Sequence, residues 1–297
     1  MDAPSAYDEI DRRRDLAWDE LRDYLRLGRP VVIAGGAQSW RERWTPESLK
    51  ARFGTHRIWV ETKEPNPQLR RRLQISMAEL IDSVLANSLE YRLRGHDFLS
   101  FIPELEQEFL ENRFFPQFFD GPAVSQNLWI SPRGNQSSFH HDANVDNLNV
   151  QIYGRKLFVL ASPASYRNLY PQSFGYSPVR VFEPNPEYAR FAQARPLQTL
   201  LEPGDILFIP QYWWHWVRAL EPSINVNVWN RRYGAAVVHG TTGVPALPRA
   251  LFLMDAFLEQ RVPWARVAWA RLARLRARVE AWRLGQRRNA ADAADAG

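Results

Sequence analysis

The feature that most constrains the fold of this chain is a series of short apolar segments between residues 127 and 233. Gly, Pro and Asn separate many of these segments, and several of the intervals are too short for a crossover helix. Each segment is therefore predicted to be a β-strand. The predicted strands are residues 128–130, 138–142, 148–152, 156–160, 206–210, 213–217 and 224–229. Such a succession favours a mainly β sandwich or jelly roll over an alternating β-α-β sheet.

The sequence before this region mixes helical and extended patterns. Helices are predicted at residues 16–28, 77–87 and 102–112, and strands at 31–35, 57–60 and 91–93. We therefore predict an N-terminal α/β flank at 1–126 and a β core at 127–233. Within the core, residues 161–201 are rich in Pro, Tyr and Ser and are expected to form a long insertion, a kind of segment that often carries function.

After residue 233 the pattern becomes helical, and a helical pair is predicted at 234–288. One apolar stripe follows 4-3-4-3 spacing on the second helix and consists of Ala268, Leu272, Leu275, Val279 and Trp282. Nine arginines and one acid, Glu280, lie between Arg261 and Arg288. This basic face is open to three interpretations: a solvated surface, a dimer helix that uses the opposite stripe, or a site for an anionic partner. Residues 289–297 are expected to be disordered.

Composition excludes several chemistries. The chain has no cysteine, so it has no disulfide, no thiolate zinc site and no cysteine nucleophile. Its N-terminus lacks the apolar run of a signal peptide, and no segment approaches 18 consecutive apolar residues. We therefore expect a soluble, cytoplasmic protein without a membrane span.

Two separated motifs suggest a metal site. On a strand, residues two apart point the same way, so His140 and Asp142 share one face and His141 takes the other. His215 lies far downstream on another predicted strand. Two histidines and one carboxylate hold non-heme Fe(II) on one side and leave its other positions open. The His-His-Asp tripeptide alone is also typical of a polar turn, so the surrounding sequence has to decide.

That surrounding sequence resembles a known family. The stretches GNQSSFHHD (134–142), NLNVQIYGRK (147–156), PGDILFIP (203–210) and YWWH (212–215) occur in the order and spacing of the JmjC, or cupin-like, Fe(II)- and 2-oxoglutarate-dependent oxygenases. The hydroxylase branch is the most similar, the branch that includes the asparaginyl hydroxylase inhibiting hypoxia-inducible factor. The resemblance implies a double-stranded β-helix core of the cupin, jelly-roll type.

The resemblance also implies roles for particular residues. The Fe(II) ligands fall on His140, Asp142 and His215. Lys156 falls on the lysine that pairs with the distal carboxylate of 2-oxoglutarate, and its place in a mostly apolar run suits a buried charge awaiting a partner. The remaining co-substrate positions fall on Ser137, Asn147, Asn227 and, more loosely, Tyr91.

One spacing departs from the family pattern. The pocket asparagine usually lies six residues after the first histidine, whereas Asn147 lies seven residues after His140. Either one residue is inserted after Asp142, or His141 is the ligand and Ala143 replaces the carboxylate, as in halogenases that use two histidines. Phe139 and the upstream glycine favour the first register.

The function expected from the resemblance is hydroxylation of a protein or peptide side chain, with release of succinate and CO2. Hydroxylation is preferred over demethylation because the acidic ligand is Asp142 rather than Glu. The alternatives are a small-molecule (natural-product) hydroxylase or halogenase, or a non-catalytic metal-binding cupin that serves as an interaction module. A homodimer through the C-terminal helices is expected; nucleic acid is not an expected partner, despite the basic helix.

Overall fold

The computed structural model describes residues 7–62, 71–88, 90–93, 96–97, 102, 104–118, 123–142, 145–172 and 175–231, with four further positions between 246 and 253. By its contacts, Met1–Arg249 forms one compact unit and Ala250–Gly297 a second. The predicted helix with the apolar stripe, the dimer interface proposed for it and the tail at 289–297 lie outside the described residues. They stay predictions.

The N-terminal part alternates short strands and helices. Its elements are β1 (Asp8–Glu9), β2 (Arg12–Arg14), α1 (Trp18–Leu27), β3 (Val31–Ala34), α2 (Gln38–Arg43), α3 (Pro46–Phe53), β4 (Arg57–Thr62), β5 (Arg72–Ser76), α4 (Met77–Leu85), β6 (Tyr91–Leu93), β7 (His96–Asp97), α5 (Leu105–Leu110) and α6 (Phe115–Phe118). Helix α1 begins where Glu20 accepts a hydrogen bond from the backbone N–H of Ala17 at 2.9 Å. It ends at Gly28, whose φ of 60° is left-handed and favours glycine.

The second part is almost entirely extended. Its strands are β8 (Ala123–Ser131), β9 (Phe139–His141), β10 (Val145–Tyr153), β11 (Lys156–Ala161), β12 (Tyr176–Ser177), β13 (Leu197–Leu201), β14 (Ile206–Ile209), β15 (Trp214–Ala219) and β16 (Ser223–Arg231). Two 3-10 helices, Pro163–Leu169 and Pro186–Ala194, lie between β11 and β13. The predicted strands are thus present, with bounds that differ by a few residues.

Two large sheets form the core. Sheet I has the order β1-β13-β11-β15-β9-β12, and sheet II has the order β2-β3-β14-β10-β16-β8-β7. The sheets face each other, because Phe158 and Leu160 of sheet I pack in one buried cluster with Val32 and Leu207 of sheet II. The expected mainly β jelly-roll fold is confirmed. A separate three-stranded sheet has the order β5-β4-β6.

The outer face of sheet II is covered by the N-terminal helices. Leu148 and Val150 of β10 point outward and pack in one cluster with Leu21, Trp40 and Phe109. The intervening residues of β10 point inward, and they are polar although they are buried: Asn147, Asn149 and Gln151. This alternation follows from the two-residue period of a strand. Sheet II therefore presents an apolar face to the helices and amides to the interior of the sandwich.

The outer face of sheet I is covered by the insertion between β11 and β13. Trp214 and Val159 of that face pack with Leu169, Val179 and Phe191 of the insertion. One part of this segment differs from the prediction: residues 161–201 do not all belong to an insertion, because β13 pairs with β11 inside sheet I. The pattern Leu-Gln-Thr-Leu-Leu has no strict alternation, which hid a strand that is buried on both sides. Among the described residues, no helix is long and apolar enough to cross a membrane.

Candidate metal centre

Strand pairing brings the two distant motifs together. In sheet I, β9 lies next to β15, and His140 is the direct partner of His215. Direct partners share a face, so both imidazoles point into the sandwich, and their ring centroids are 4.3 Å apart. Asp142 follows the end of β9, and its Oδ2 lies 3.7 Å from Nε2 of His215. One possible ligand atom from each of the three side chains lies within 4.8 Å of the other two.

Backbone carbonyls orient both histidines for metal binding. Nδ1 of His140 lies 2.8 Å from the carbonyl oxygen of Ser138, and Nδ1 of His215 lies 3.1 Å from that of Trp213. A carbonyl only accepts, so each Nδ1 carries the proton and donates it, which leaves the lone pair on Nε2. Burial lowers the pKa of His215 to about 4, and the nearby His140 adds to the effect. His215 is therefore neutral at pH 7, the form that binds metals.

The carboxylate of Asp142 has its own support. Nδ2 of Asn147 donates a hydrogen bond to Oδ2 of Asp142 at 3.2 Å. The backbone N–H of Tyr212 donates to the carbonyl oxygen of Asp142 at 3.2 Å, which ties the end of β9 to the loop before β15. The Oδ1 atom of Asn147 is buried and accepts no hydrogen bond from the described residues. Asn147 thus holds the carboxylate with one atom and offers a free acceptor with the other.

His141 lies on the opposite face of the sheet. It pairs with Trp214, whose ring meets its imidazole edge to face at a centroid distance of 4.7 Å, and Tyr212 lies 5.8 Å away. Burial lowers its pKa to about 4, so it is a neutral core side chain. The face that each of the adjacent histidines takes is the one that strand alternation predicts. His140, and not His141, therefore belongs to the cluster of possible ligands. The extra residue that this register requires between Ala143 and Asp146 stays a prediction, because residues 143 and 144 lie outside the described residues.

Lys156 is a buried cation on the inner face. It begins β11, only 6% of its surface is exposed, and its Nζ donates a hydrogen bond to Oδ1 of Asn225. Nδ2 of Asn225 in turn donates to Oδ1 of Asn149 at 3.1 Å. Lys156 makes no ion pair within the part of the chain that the structure describes, and burial lowers its pKa to about 7. An anion entering this space would supply the missing charge.

Of the other predicted co-substrate residues, Asn227 and Ser137 lie within the sandwich, whereas Tyr91 lies in the separate three-stranded sheet. Asn227 is the direct partner of Asn149 on the inner face of sheet II, and its Oδ1 accepts a hydrogen bond from Nε1 of Trp129 at 2.8 Å. Oγ of Ser137 accepts a hydrogen bond from the backbone N–H of Val217 at 3.0 Å. Tyr91 instead lies on β6 of the three-stranded sheet, where partial burial and then the carboxylate of Glu79 raise its pKa. The described residues provide no hydrogen bond between Tyr91 and the rest of the set.

Two residues that belong beside this site were absent from the sequence prediction. Asn225 lies two positions before Asn227 and therefore on the same strand face, so alternation along the predicted strand could have identified it. Tyr176 lies on β12, directly opposite His140, and its ring is nearly parallel to the imidazole at a centroid distance of 6.0 Å. No sequence signal identified Tyr176, because a two-residue strand pairs only through tertiary structure.

A jelly-roll sandwich that carries two histidines and a carboxylate on its inner face defines a metal-binding protein of the cupin type. The donor set suits Fe(II), since imidazole nitrogens and a carboxylate oxygen are the ligands of non-heme iron sites. The comparison with known proteins specifies the class further. The chain belongs to the family of cupin-like domains, whose model matches residues 17–234.

Curated relatives include a protein named for its Jumonji C domain, a lysine-specific demethylase and a protein associated with HSPB1. The chain is 30% identical to lysine-specific demethylase 8 of Xenopus tropicalis over 229 residues, which cover 71% of this chain and 50% of the relative. It is 28% identical to Jumonji C domain-containing protein 5 of Drosophila melanogaster over 232 residues, or 71% and 51% of the two chains. A shorter match to HSPB1-associated protein 1 of Rattus norvegicus is 37% identical over 110 residues, which cover 34% of this chain and 23% of the relative.

The chain therefore spans about half the length of the first two of these relatives. The resemblance to the JmjC family is confirmed, and this is a family of oxygenases that use Fe(II) and 2-oxoglutarate.

Proposed function

We propose that this chain is an Fe(II)- and 2-oxoglutarate-dependent oxygenase that hydroxylates a protein or peptide side chain. The observation that carries the proposal is that the His-Asp-His cluster shares its inner face with a buried lysine that has no counter-ion among the described residues. Lys156 is the partner of Ala219, four residues from His215 on β15, so both side chains point to the same inner face. A metal cation and a lysine ammonium on one face call for a short dicarboxylate between them.

Each residue has a binding or orienting task in this proposal. His140 and His215 would hold the metal through Nε2, and Asp142 would hold it through the carboxylate that Asn147 orients. Lys156, supported by Asn225, binds the far carboxylate of the co-substrate, and Ser137 and Asn227 line the same pocket. Once bound, the metal and 2-oxoglutarate supply the oxidising chemistry, and succinate and CO2 are released. No side chain has to act as a general acid or base.

The remainder of the inner face limits access by water. Phe158, Leu160, Leu207 and Ile209 are all buried on the walls of the sandwich. An apolar lining strengthens the interaction of Lys156 with a bound carboxylate, because the effective dielectric constant is low. It also protects a reactive site from side reactions with solvent.

The proposal is tested by anaerobic titration of the protein with Fe(II) and 2-oxoglutarate, followed by measurement of succinate after oxygen is admitted. Binding of both ligands and succinate formation above the level of a His215→Ala variant are expected, even without a substrate, through uncoupled turnover. A protein that binds metal but neither binds nor consumes 2-oxoglutarate would instead be the non-catalytic cupin interaction module.

Demethylation of a methylated lysine is a second candidate, because the relative from Xenopus tropicalis is named a lysine-specific demethylase. Both reactions begin with oxidation of a C–H bond, so the metal site does not distinguish them. Mass spectrometry of peptides before and after reaction does: hydroxylation adds one oxygen atom, whereas demethylation removes a methyl group as formaldehyde. A small-molecule hydroxylase would leave the peptides unmodified. A halogenase of the two-histidine type would need His141 on the inner face.

A further inference from the structure

The insertion between β11 and β13 carries a groove that the proposed metal centre does not use. The groove is an open depression of about 510 Å³, lined by tyrosine, proline, arginine and glutamine side chains, with no carboxylate among them. Its walls come from the two 3-10 helices and from the chain that joins them. We call it the tyrosine groove, after Tyr166, Tyr170 and Tyr188 in its lining. Its volume falls in the range of ligand-binding clefts.

The groove rests on a fixed support. Leu169 and Phe191, one from each 3-10 helix, are buried in the cluster that covers the outer face of sheet I. The rings of Tyr170 and Tyr188 contact each other with centroids 5.1 Å apart. Tyr170 has a φ of 49°, a left-handed conformation that glycine adopts at lower cost than a bulky side chain. The groove is therefore built by packed side chains, and one of its tyrosines is held in a costly conformation.

The charge of the groove is positive and unneutralised. The Arg190 guanidinium lies over the ring of Tyr170 at 4.7 Å, and its Nε donates a hydrogen bond to the Tyr170 hydroxyl at 3.3 Å. Neither Arg190 nor the exposed Arg167 forms an ion pair with any described residue. Arg180 of the same insertion differs, because it pairs with Glu183 and Glu187 at 3.7 and 3.2 Å. The two groove arginines are thus available to carboxylates of a partner.

The groove is connected to β12, the strand that pairs with β9 of the metal centre. The backbone N–H of Gln172, in the groove lining, donates to the carbonyl oxygen of Tyr176 at 3.2 Å, and Pro178 of the lining lies two residues beyond Tyr176. Tyr176 is paired with His140, yet 53% of its surface is exposed. A peptide segment that leaves the groove along β12 would therefore pass Tyr176 and, beside it, the imidazole of His140.

The surface suits a peptide better than a nucleic acid. Bases stack on open aromatic faces. Here the face of Tyr170 is covered by Arg190, and Tyr166 meets Trp214 edge to face with centroids 6.2 Å apart. Grooves lined by aromatic rings are typical of sites for peptides in an extended, polyproline-like conformation. Charge complementarity then selects the acidic ones.

We propose that the tyrosine groove binds an acidic, extended segment of the polypeptide substrate and that Tyr176 directs the adjoining residues to the metal centre. This inference rests on the proposed function and specifies its substrate class.

The test uses fluorescein-labelled peptides of the sequence Glu-Ala-Asn repeated four times, with Gln and Lys versions as neutral and basic controls. Fluorescence anisotropy at low and physiological salt gives the dissociation constants. The wild-type chain is expected to bind the acidic peptide at least tenfold more tightly than the neutral one. An Arg167→Gln/Arg190→Gln variant is expected to lose at least tenfold of that affinity. The matched control is Arg14→Gln/Arg41→Gln, which removes the same charge from two exposed arginines without ion pairs among the described residues and is expected to change affinity less than twofold.

Equal losses in the two double variants would overturn the proposal, because net charge alone would then explain binding. Equal binding of the neutral peptide, no binding at all, or tighter binding of a single-stranded RNA of the same length would also overturn it. The link to the metal centre is tested by placing Mn(II) there and recording its relaxation effect on the protons of the unlabelled acidic peptide. Broadening at one end of the peptide, absent with Zn(II), is expected; uniform or absent broadening contradicts the path over Tyr176.

Titration with Fe(II) and 2-oxoglutarate, carried out on the same variants, separates this proposal from the proposed function. The groove variants are expected to bind both ligands as the wild type does. Peptide binding without 2-oxoglutarate binding would exclude the proposed oxygenase function and support the groove as a protein-binding surface. Binding of 2-oxoglutarate without peptide binding would leave the function and remove the groove.

Discussion

Lys156 donates a hydrogen bond to Asn225 in the interior of the sandwich and meets no carboxylate among the described residues. Nδ2 of Asn225 donates in turn to Oδ1 of Asn149, so a chain of two amides supports the ammonium. This arrangement favours an anionic ligand over the free state, because only an anion neutralises the charge. It also makes Lys156 the residue whose protonation reports on ligand binding.

The first prediction concerns the pH dependence of 2-oxoglutarate binding. The pKa of Lys156 is about 7 without an anion, and a bound carboxylate raises it because the charged form is favoured. Affinity is therefore expected to be highest below pH 7 and to fall by up to about tenfold per pH unit above it. Calorimetry in two buffers of different ionisation enthalpy is expected to show proton uptake on binding above pH 7. Lys156→Met should bind weakly at every pH and take up no proton at this position.

The second prediction concerns the stability of the ligand-free protein. The folded-state pKa of Lys156 is lowered, so the unfolded chain holds the proton more tightly between pH 7 and about 10.4, and stability rises with pH through this range. Lys156→Met is expected to raise the free energy of unfolding by about 2–4 kcal/mol at pH 7 or below, with a smaller gain near pH 9. Urea denaturation at the two pH values measures the difference. A gain that does not depend on pH would mean that packing, not the buried charge, is responsible.

The third prediction separates the two adjacent histidines. His140→Ala is expected to abolish high-affinity Fe(II) binding, because it removes one of three ligands, and to cost little stability. His141→Ala is expected to retain the metal and to lower the free energy of unfolding by about 2–4 kcal/mol, because it opens a cavity against Trp214. Anaerobic metal titration and thermal denaturation of both variants give the two quantities. The reverse pattern would assign the metal to His141.

The fourth prediction concerns Asn147 as a positioning residue for Asp142. Loss of the hydrogen bond to Oδ2 in Asn147→Ala leaves the carboxylate free to rotate, and metal affinity is expected to fall about 10–100-fold. The metal affinity of Asn147→Asp is expected to be lower still, because the two carboxylates repel each other. Asn147→Ser keeps a hydrogen-bond donor and is expected to recover part of the affinity. Affinities are measured with Mn(II) by electron paramagnetic resonance. Three variants that all bind the metal as tightly as the wild type would exclude this role.

The fifth prediction concerns the turn before β14. The Asp205 carboxylate is buried and accepts hydrogen bonds from the N–H groups of Gly35 and Glu202, and it pairs with Arg12 at 2.7 Å. Asp205→Ala leaves these donors without an acceptor and is expected to lower the free energy of unfolding by about 3–5 kcal/mol. Asp82→Ala is the matched control, because its ion pair with Lys50 is similarly short at 2.6 Å but exposed. That change is expected to cost less than about 1 kcal/mol; similar losses would show that burial is not decisive.

Alternation along single strands was readable in the sequence, because it depends only on the geometry of an extended chain. That is why the opposite faces of His140 and His141 and the location of nearly every core strand were predicted, whereas Asn147 was assigned from the resemblance to the family. Strand β13 was not predicted, because it is buried on both sides and its residues do not alternate, and β12 was not, because two residues are too few to form a pattern. Their pairings with β11 and β9 join residues 37–45 and 36–38 positions apart. Such contacts are stabilised by burial across the whole sandwich and leave no local pattern.

The sequence alone determined the residue types at the metal centre and their order, and hence the family to which the chain belongs. Only the tertiary structure decided which atoms meet: that Oδ2 of Asp142 faces Nε2 of His215, that Asn225 accepts a hydrogen bond from Lys156, and that the ring of Tyr176 lies beside His140. The physical reason is that these contacts join strands far apart in the chain. Their register is set when the two sheets bury their apolar faces, and no short segment contains that information.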